Sequence, residues 1–349
     1  MKMSSSQKII FYSLFFILCL LFYTWQGIYL PISSSTEENL FLIEKGEGLK
    51  EIASNLKENG LIKNDFLFKL YVFLKGETKN LKAGRYILNL SMNLSEITEI
   101  IVSGKTAKEK ITIIEGWNLR DIGWYLENRG LFQAEELFEL VGFPLIDYNK
   151  NTGLPKPKDF SEEFDFLRDK PKNVSLEGYL FPDTYEINTG AQIEEIVKTM
   201  LSNFDKKLTS NLRKEIKKQE KTIFEIITMA SLLEKEVKSK EEKEIVSGIL
   251  WKRLKNRIPL QVDATIIYIT GKKTTKVSKD DTEIDSPYNT YKYLGLPKGP
   301  ICNPGLESIL ATVYPKNSDF WYYLSTSDGE TIFSKTLEEH NIAKAKYLK

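Results

Sequence analysis

The chain has 349 residues, 49 Lys+Arg against 48 Asp+Glu, and a formal net charge of +1. This length predicts two or three units, and the charge balance argues against a generally basic nucleic-acid binder. One histidine, His340, and two cysteines, Cys19 and Cys302, are too few for a His/Cys zinc site and fit a Ser-His-Asp or Cys-His nucleophile poorly, so carboxylates are the best candidates for any catalysis.

Residues 9–30, IIFYSLFFILCLLFYTWQGIYL, contain no charge. As a helix they span about 33 Å, enough for a bilayer core. Tyr23, Trp25 and Tyr29 fall at the outer end as interfacial aromatics do, and Lys2 and Lys8 precede the run. The positive-inside rule puts residues 1–8 in the cytoplasm as a short tail and everything after the span outside it. A cleaved signal peptide is the competing reading; the run is long for its apolar region and no clear A-x-A site follows. Residues 31–40, PISSSTEENL, read as a tether.

An internal repeat follows. Residues 43–62, IEKGEGLKEIASNLKENGLI, and 113–132, IIEGWNLRDIGWYLENRGLF, share seven identities at an offset of 70. Each reads as a short strand, a Gly turn and an amphipathic helix closed by Gly60 or Gly130. Two copies are too few for a solenoid, so they read as two related small α/β units. Between them, 82–88 reads as a turn and strand. A helix over 95–103 with Ile97, Ile100 and Ile101 inward comes next, and ITII at 111–114 reads as a strand. Residues 146–175, with Pro155, Pro157, Pro171 and many charges, read as a long surface loop or insertion. Helices are expected near 191–207, 222–238 and 241–256. A loop-rich C-terminal third ends in strands near 321–325 and 331–333.

The helix at 222–237, TIFEIITMASLLEKEV, carries the residue that invites chemistry. At 100° per residue, Ile223, Ile226, Ile227, Ala230, Leu233 and Val237 form one stripe. Glu234 lies on that stripe, seven after Ile227 and four after Ala230, whereas Glu225 and Glu236 point roughly the other way, to solvent. A carboxyl on a core or cleft floor has its charged form disfavoured and could serve as a general acid. A buried Glu paired with an Arg, or a helix end rotated so that Glu234 is exposed, is also a reading of the wheel.

Five stretches then match a known pattern in order: LEGYLFPDTY at 176–185, ASLLEKE at 230–236, LQVDATIIY at 260–268, SPYNTY at 286–291, and GLP at 295–297 through NPG at 303–305. With them the chain resembles the endolytic murein transglycosylase (YceG-like, or MltG-like) family from the apolar span to near the C-terminus. Ala264 stands where the family commonly has Pro, Cys302 is outside the pattern, and the 146–175 insertion is longer than the family's. The resemblance implies an α+β protein. It would have a single transmembrane helix (9–30), a LysM-like membrane-proximal α/β module (41–108) and a larger mixed α+β catalytic domain (109–349).

The resemblance implies that Glu234 is the catalytic glutamate, the residue the wheel selects. It also implies that the substrate is the glycan strand of peptidoglycan, cut between N-acetylmuramic acid and N-acetylglucosamine to leave 1,6-anhydro ends without metal or cofactor. It suggests penicillin-binding proteins and other wall synthases as partners at the cell membrane. Gln261, Asn289 and Tyr291 are polar groups for acetamido or hydroxyl contacts, or else bonds within loops. Glu177 would orient them or form a structural pair, and Asp183 would do likewise or fix a turn. Tyr179, Phe181 and Tyr185 would stack on sugars or form a small core. A tethered glycan-binding scaffold that cuts nothing is the reading from a different class.

Overall fold

The computed structural model describes residues 5–104, 107–150, 152–272, 276–326 and 329–347; Lys2 of the orientation argument lies outside them. The fold is mixed α+β and mostly helical, with three two-stranded sheets among the described residues. It divides into two compact units, Met1–Lys110 with Glu186–Ala191, and Ile111–Tyr185 with Gln192–Lys349.

The first unit begins with helix α1 (Ser5–Tyr29), which over Gln7–Tyr29 has a mean hydropathy of 1.9 and the length to cross a bilayer. Strand β1 (Asn39–Ile43) takes up the last residues expected to be tether. After it come α2 (Leu49–Glu58), α3 (Asp65–Leu74), β2 (Gly84–Leu88) and α4 (Leu94–Ser103). β1 and β2 are antiparallel, Asn39 facing Leu88 and Ile43 facing Gly84. Alternation along them turns Phe41, Ile43, Tyr86 and Leu88 inward. These residues close over Ile52, Leu56, Phe68, Ile97 and Ile101 as one core. α4 has the expected inward Ile97 and Ile101 and the left-handed Gly104 cap. α3, unread in the sequence, is started by Asn64, whose side chain accepts from the N–H groups of Phe66 and Leu67.

The path is repeated along the chain. β3 (Lys108–Thr112), α5 (Leu119–Asn128), α6 (Ala134–Val141) and β4 (Thr184–Asn188) again run strand–helix–helix–strand, with residues 108–110 and 186–188 of the two strands counted in the first unit. β3 and β4 pair antiparallel, with Ile113 N–H donating to Asp183 O at 2.9 Å and Thr189 N–H to Ala107 O at 2.6 Å. β3 begins earlier than ITII suggests because Lys108 and Lys110 sit on its exposed edge beside Glu186. The duplication therefore extends beyond the 20 matched residues to a whole supersecondary unit. Both sheets are antiparallel, so each repeat is α+β in type, not the α/β of the sequence reading.

The stretch at 146–175, expected on the surface, contributes to the core. Phe160, Phe166, Leu167 and Val174 are buried, and Phe166 packs on Tyr179 and Phe204 with centroids 6.2 and 5.1 Å apart. Beyond β4 lie α7 (Ile193–Lys207), α8 (Ser210–Lys218), α9 (Ile223–Glu236), α10 (Lys240–Lys255), α11 (Asp263–Thr270), α12 (Lys279–Thr282) and α13 (Leu306–Val313). A hairpin of β5 (Tyr322–Ser325) and β6 (Thr331–Ser334) and helix α14 (Leu337–Tyr347) complete the chain. α9 is the axis of this unit. It is buried on every side from Ile226 to Leu233, with α10, α11 and α13 against it. Its start is fixed reciprocally: Thr222 Oγ1 accepts from Glu225 N–H, and Glu225 Oε2 from Thr222 N–H.

Candidate active site

Glu234 lies in the last turn of α9, its side chain 9% exposed. Oε2 accepts from the N–H of Gly305 at 2.9 Å and from Ser308 Oγ at 2.7 Å. Oε1 faces the ammonium of Lys243, 3.6 Å away and itself only 4% exposed. Gly305 caps the N-terminus of α13, so the carboxylate also sits where a helix favours negative charge. The nearly buried carboxyl thus meets one cation and two donors.

The chain between α9 and α10 is only three residues, 237–239, and Ser239 caps α10. That short link places Lys243, on the second turn of α10, beside the end of α9. The sequence reading missed Lys243, one of many lysines in a helix with no single apolar stripe. Replacing it with Met strands the carboxylate. Unfolding in urea is expected to show a loss of about 3 kcal/mol, most of it recovered when Glu234→Gln is added. Strictly additive losses in the double variant would mean the two groups do not act as a pair.

A second carboxyl stands close by. A Cβ built on Gly305 would meet Glu115 Oε1 at 2.1 Å, so Glu115 rests against the same glycine that donates to Glu234. Its partial burial, then the like charge of Glu234, push Glu115 above the usual carboxylate range, with Lys243 opposing. Glu115 was also missed, because a lone Glu in a turn has no pattern.

The floor of the site is tied by Asn303, which is fully buried. Its carbonyl accepts from Gly116 N–H (2.9 Å), and its N–H and Nδ2 donate to Trp117 O (2.8 and 2.9 Å). Its Oδ1 accepts from Leu180 N–H at 2.9 Å. Lys235 Nζ donates to Gly116 O at 3.1 Å. One asparagine thus joins the 116–119 turn, the 177–180 turn and the loop leading to Gly305. Gly178 makes the close approach possible: its φ is +88°, and a Cβ there would meet Pro300 at 2.5 Å.

The other expected site residues separate into two groups. Glu177 is buried and acts as a brace. It accepts from Leu119 N–H (3.1 Å), Tyr268 Oη (3.0 Å) and Asn303 Nδ2 (3.4 Å), and burial pushes it up to about 8. Asn289 is fully buried, its Nδ2 donating to the carbonyls of Thr282 and Ile284 and its Oδ1 accepting from Tyr291 and Lys292 N–H. Both of its ends are spent on backbone, so it holds a loop and is closed to a ligand. Tyr179 is fully buried between Phe166 and Phe204, and Phe181 stacks on Phe204. These rings form a core and offer no face to a sugar. Asp183 accepts from Thr184 N–H and Asn203 Nδ2, which fixes the turn into β4.

Gln261 and Tyr291 are accessible. Gln261 adopts φ +53°, costly for a residue with a Cβ, while its Oε1 accepts from Arg253 Nη2 at 2.9 Å. Tyr291 donates to the carboxylate of Asp263. Near them is Glu236, which the wheel assigned to solvent. It is half-buried instead, accepts from Tyr323 Oη at 2.9 Å, and is pushed up to about 7 by its low-polarity surroundings. The wheel failed there because β5 and the start of α11 cover the far side of the helix end.

The YceG-like family pattern matches residues 41–346. The chain is 37% identical over 308 residues to a Bacillus subtilis (strain 168) protein named endolytic murein transglycosylase, covering 88% of this chain and 84% of that one. A Streptococcus pneumoniae serotype 2 protein of the same name is 32% identical over 327 residues; they cover 89% of this chain and 59% of the longer streptococcal one. A crystal structure of a YceG-like protein from Listeria monocytogenes superposes with a TM-score of 0.57 at 33% identity, over 89% of this chain and all of that one. The chain belongs to the YceG-like family.

Proposed function

We propose that the chain is a membrane-anchored endolytic transglycosylase that cuts peptidoglycan glycan strands between N-acetylmuramic acid and N-acetylglucosamine. In this reading α1 anchors it with the N-terminus in the cytoplasm and the rest outside, and its cuts limit the length of nascent strands beside the wall synthases. Residues 41–108 are a LysM-like module. The observation that carries the reading is Glu234, nearly buried, with two donors on one oxygen and Lys243 at the other, in a chain 37% identical to a protein named for this reaction.

Protonated Glu234 gives its proton to the glycosidic oxygen as the C1–O bond breaks and positive charge builds on the muramyl ring. Gly305 N–H, Ser308 Oγ and Lys243 stabilise the carboxylate left behind, which favours this half-step. The carboxylate then takes the proton of the muramyl C6 hydroxyl, whose oxygen closes on C1. One carboxyl serves both half-steps, the product is a 1,6-anhydro end, and no water is consumed. Gln261 and Tyr291 remain candidates for polar contacts with the strand.

End-group analysis tests this directly. Full-length protein in detergent micelles is incubated with uncrosslinked glycan strands, and fragments are read by mass spectrometry. Anhydromuramyl ends are expected. Reducing ends would mean hydrolysis, for which Glu115 is the second carboxyl at hand. Binding without any fragment would mean a scaffold.

A further inference from the structure

Helix α5 buries Leu119, Ile122 and Leu126 on one side and presents aromatic rings on another. Trp124 is 53% exposed. Trp117, in the turn just before the helix, lies 5.2 Å from Tyr125 between ring centroids, and the Arg129 guanidinium stands 5.9 Å over the Tyr125 ring. With Asp121 and Asn128 these side chains line a shallow open groove of about 360 Å³. Leaving most of a tryptophan in water forgoes the burial that usually places this residue inside.

The groove is held rigidly to the candidate active site. Trp117 O is bonded twice to Asn303, and a Cβ on the preceding Gly116 would touch Glu234 Cγ at 3.6 Å. Tyr125 Oη accepts from Thr112 N–H at 3.1 Å, which fixes its ring. Trp117 joins the platform to the turn that touches Glu234, and Trp124, Tyr125, Asn128 and Arg129 carry it along α5.

We propose that Trp117, Trp124 and Tyr125 form a distal subsite for pyranose rings of the glycan strand, remote from the bond being cut. The chemistry matches one occupant. A pyranose presents an apolar face of C–H groups that stacks on an aromatic ring, and a rim of hydroxyl and acetamido groups that Asn128 and Arg129 can meet as donors. Binding energy collected there is spent on holding the strand at Glu234, so long strands are cut in preference to short ones. This rests on Glu234 being the cutting residue.

The test uses full-length protein carrying Glu234→Gln and glycan strands of defined length, with binding measured by calorimetry. Adding Trp124→Ala is expected to weaken binding of long strands about tenfold. Trp124→Phe should restore most of it, and the melting temperature should stay unchanged because the ring is exposed. In the otherwise wild-type protein, Trp124→Ala should erase the rate advantage of long strands over short ones. Equal binding with and without Trp124 and an unaltered length preference would overturn the subsite. So would a Trp124-dependent self-association or binding of an apolar peptide in place of glycan. If wild-type protein yields no fragments while strands still bind through Trp124, the cutting assignment fails and the subsite stands.

Discussion

Glu234→Gln lowers the release of anhydromuramyl fragments by roughly three orders of magnitude, the scale of removing a general acid–base group, while the fold persists. Glutamine keeps an oxygen to accept from Gly305 N–H and Ser308 Oγ, so the local geometry is retained. What it lacks is a proton to donate in the first half-step and a basic oxygen to recover one in the second. Glu234→Asp keeps the chemistry but withdraws the carboxyl by one methylene, and a displacement of that size costs about a hundredfold. Single-turnover rates on purified strands, with circular dichroism as a check on folding, read both variants. A Gln variant within tenfold of wild type would remove Glu234 from the mechanism.

The second large effect is on stability. Glu177→Ala leaves the Leu119 N–H, the Tyr268 hydroxyl and the Asn303 amide without their shared acceptor in a buried site. A cost of about 4 kcal/mol is expected in denaturant titration. Glu177→Gln behaves differently because burial raises the folded-state carboxyl to about 8, so near neutrality the native side chain is largely protonated and Gln imitates it. The sign of the pH dependence follows. The unfolded chain releases this proton near pH 4.5 and the folded chain near 8. This contribution to stability is therefore full below about 4.5, falls through the window, and is gone above about 8. The slope approaches about 1.4 kcal/mol per pH unit. Comparing wild type with Glu177→Gln between pH 5 and 8 isolates it, since other titrations cancel. Parallel stability curves would refute the protonated state.

Much of this could be read in the sequence wherever local pattern and tertiary role coincide. The repeat at 43–62 and 113–132, with its helix-closing glycines, needs only short-range rules, and α2 and α5 follow them. α11 does not. Its residues DATIIYIT are rich in β-branched side chains that favour strands, yet they form a helix because they pack against buried α9. The wheel reached Glu234 by treating α9 as half-buried, whereas Ile226–Leu233 are enclosed on all sides. It placed Glu234 inward, where the side chain is 9% exposed, and Glu236 wrongly outward. Lys243 and Glu115, and the bracing role of Asn303 within its NPG stretch, were illegible because their importance lies in what they meet across the fold. Tyr179 and Asn289 stand in the family's motifs, but burial gives them structural work.

The division of the chain has a consequence for how the molecule is made. The first unit includes Glu186–Ala191, which are synthesised long after Lys110. A ribosome that has released only the N-terminal unit's continuous part has not yet delivered its last strand segment. Its last segment is added only after all of residues 111–185 have emerged, in contrast to domains whose parts are contiguous and fold one after another during translation. For the same reason it cannot be exchanged between genes as a cassette by a single cut.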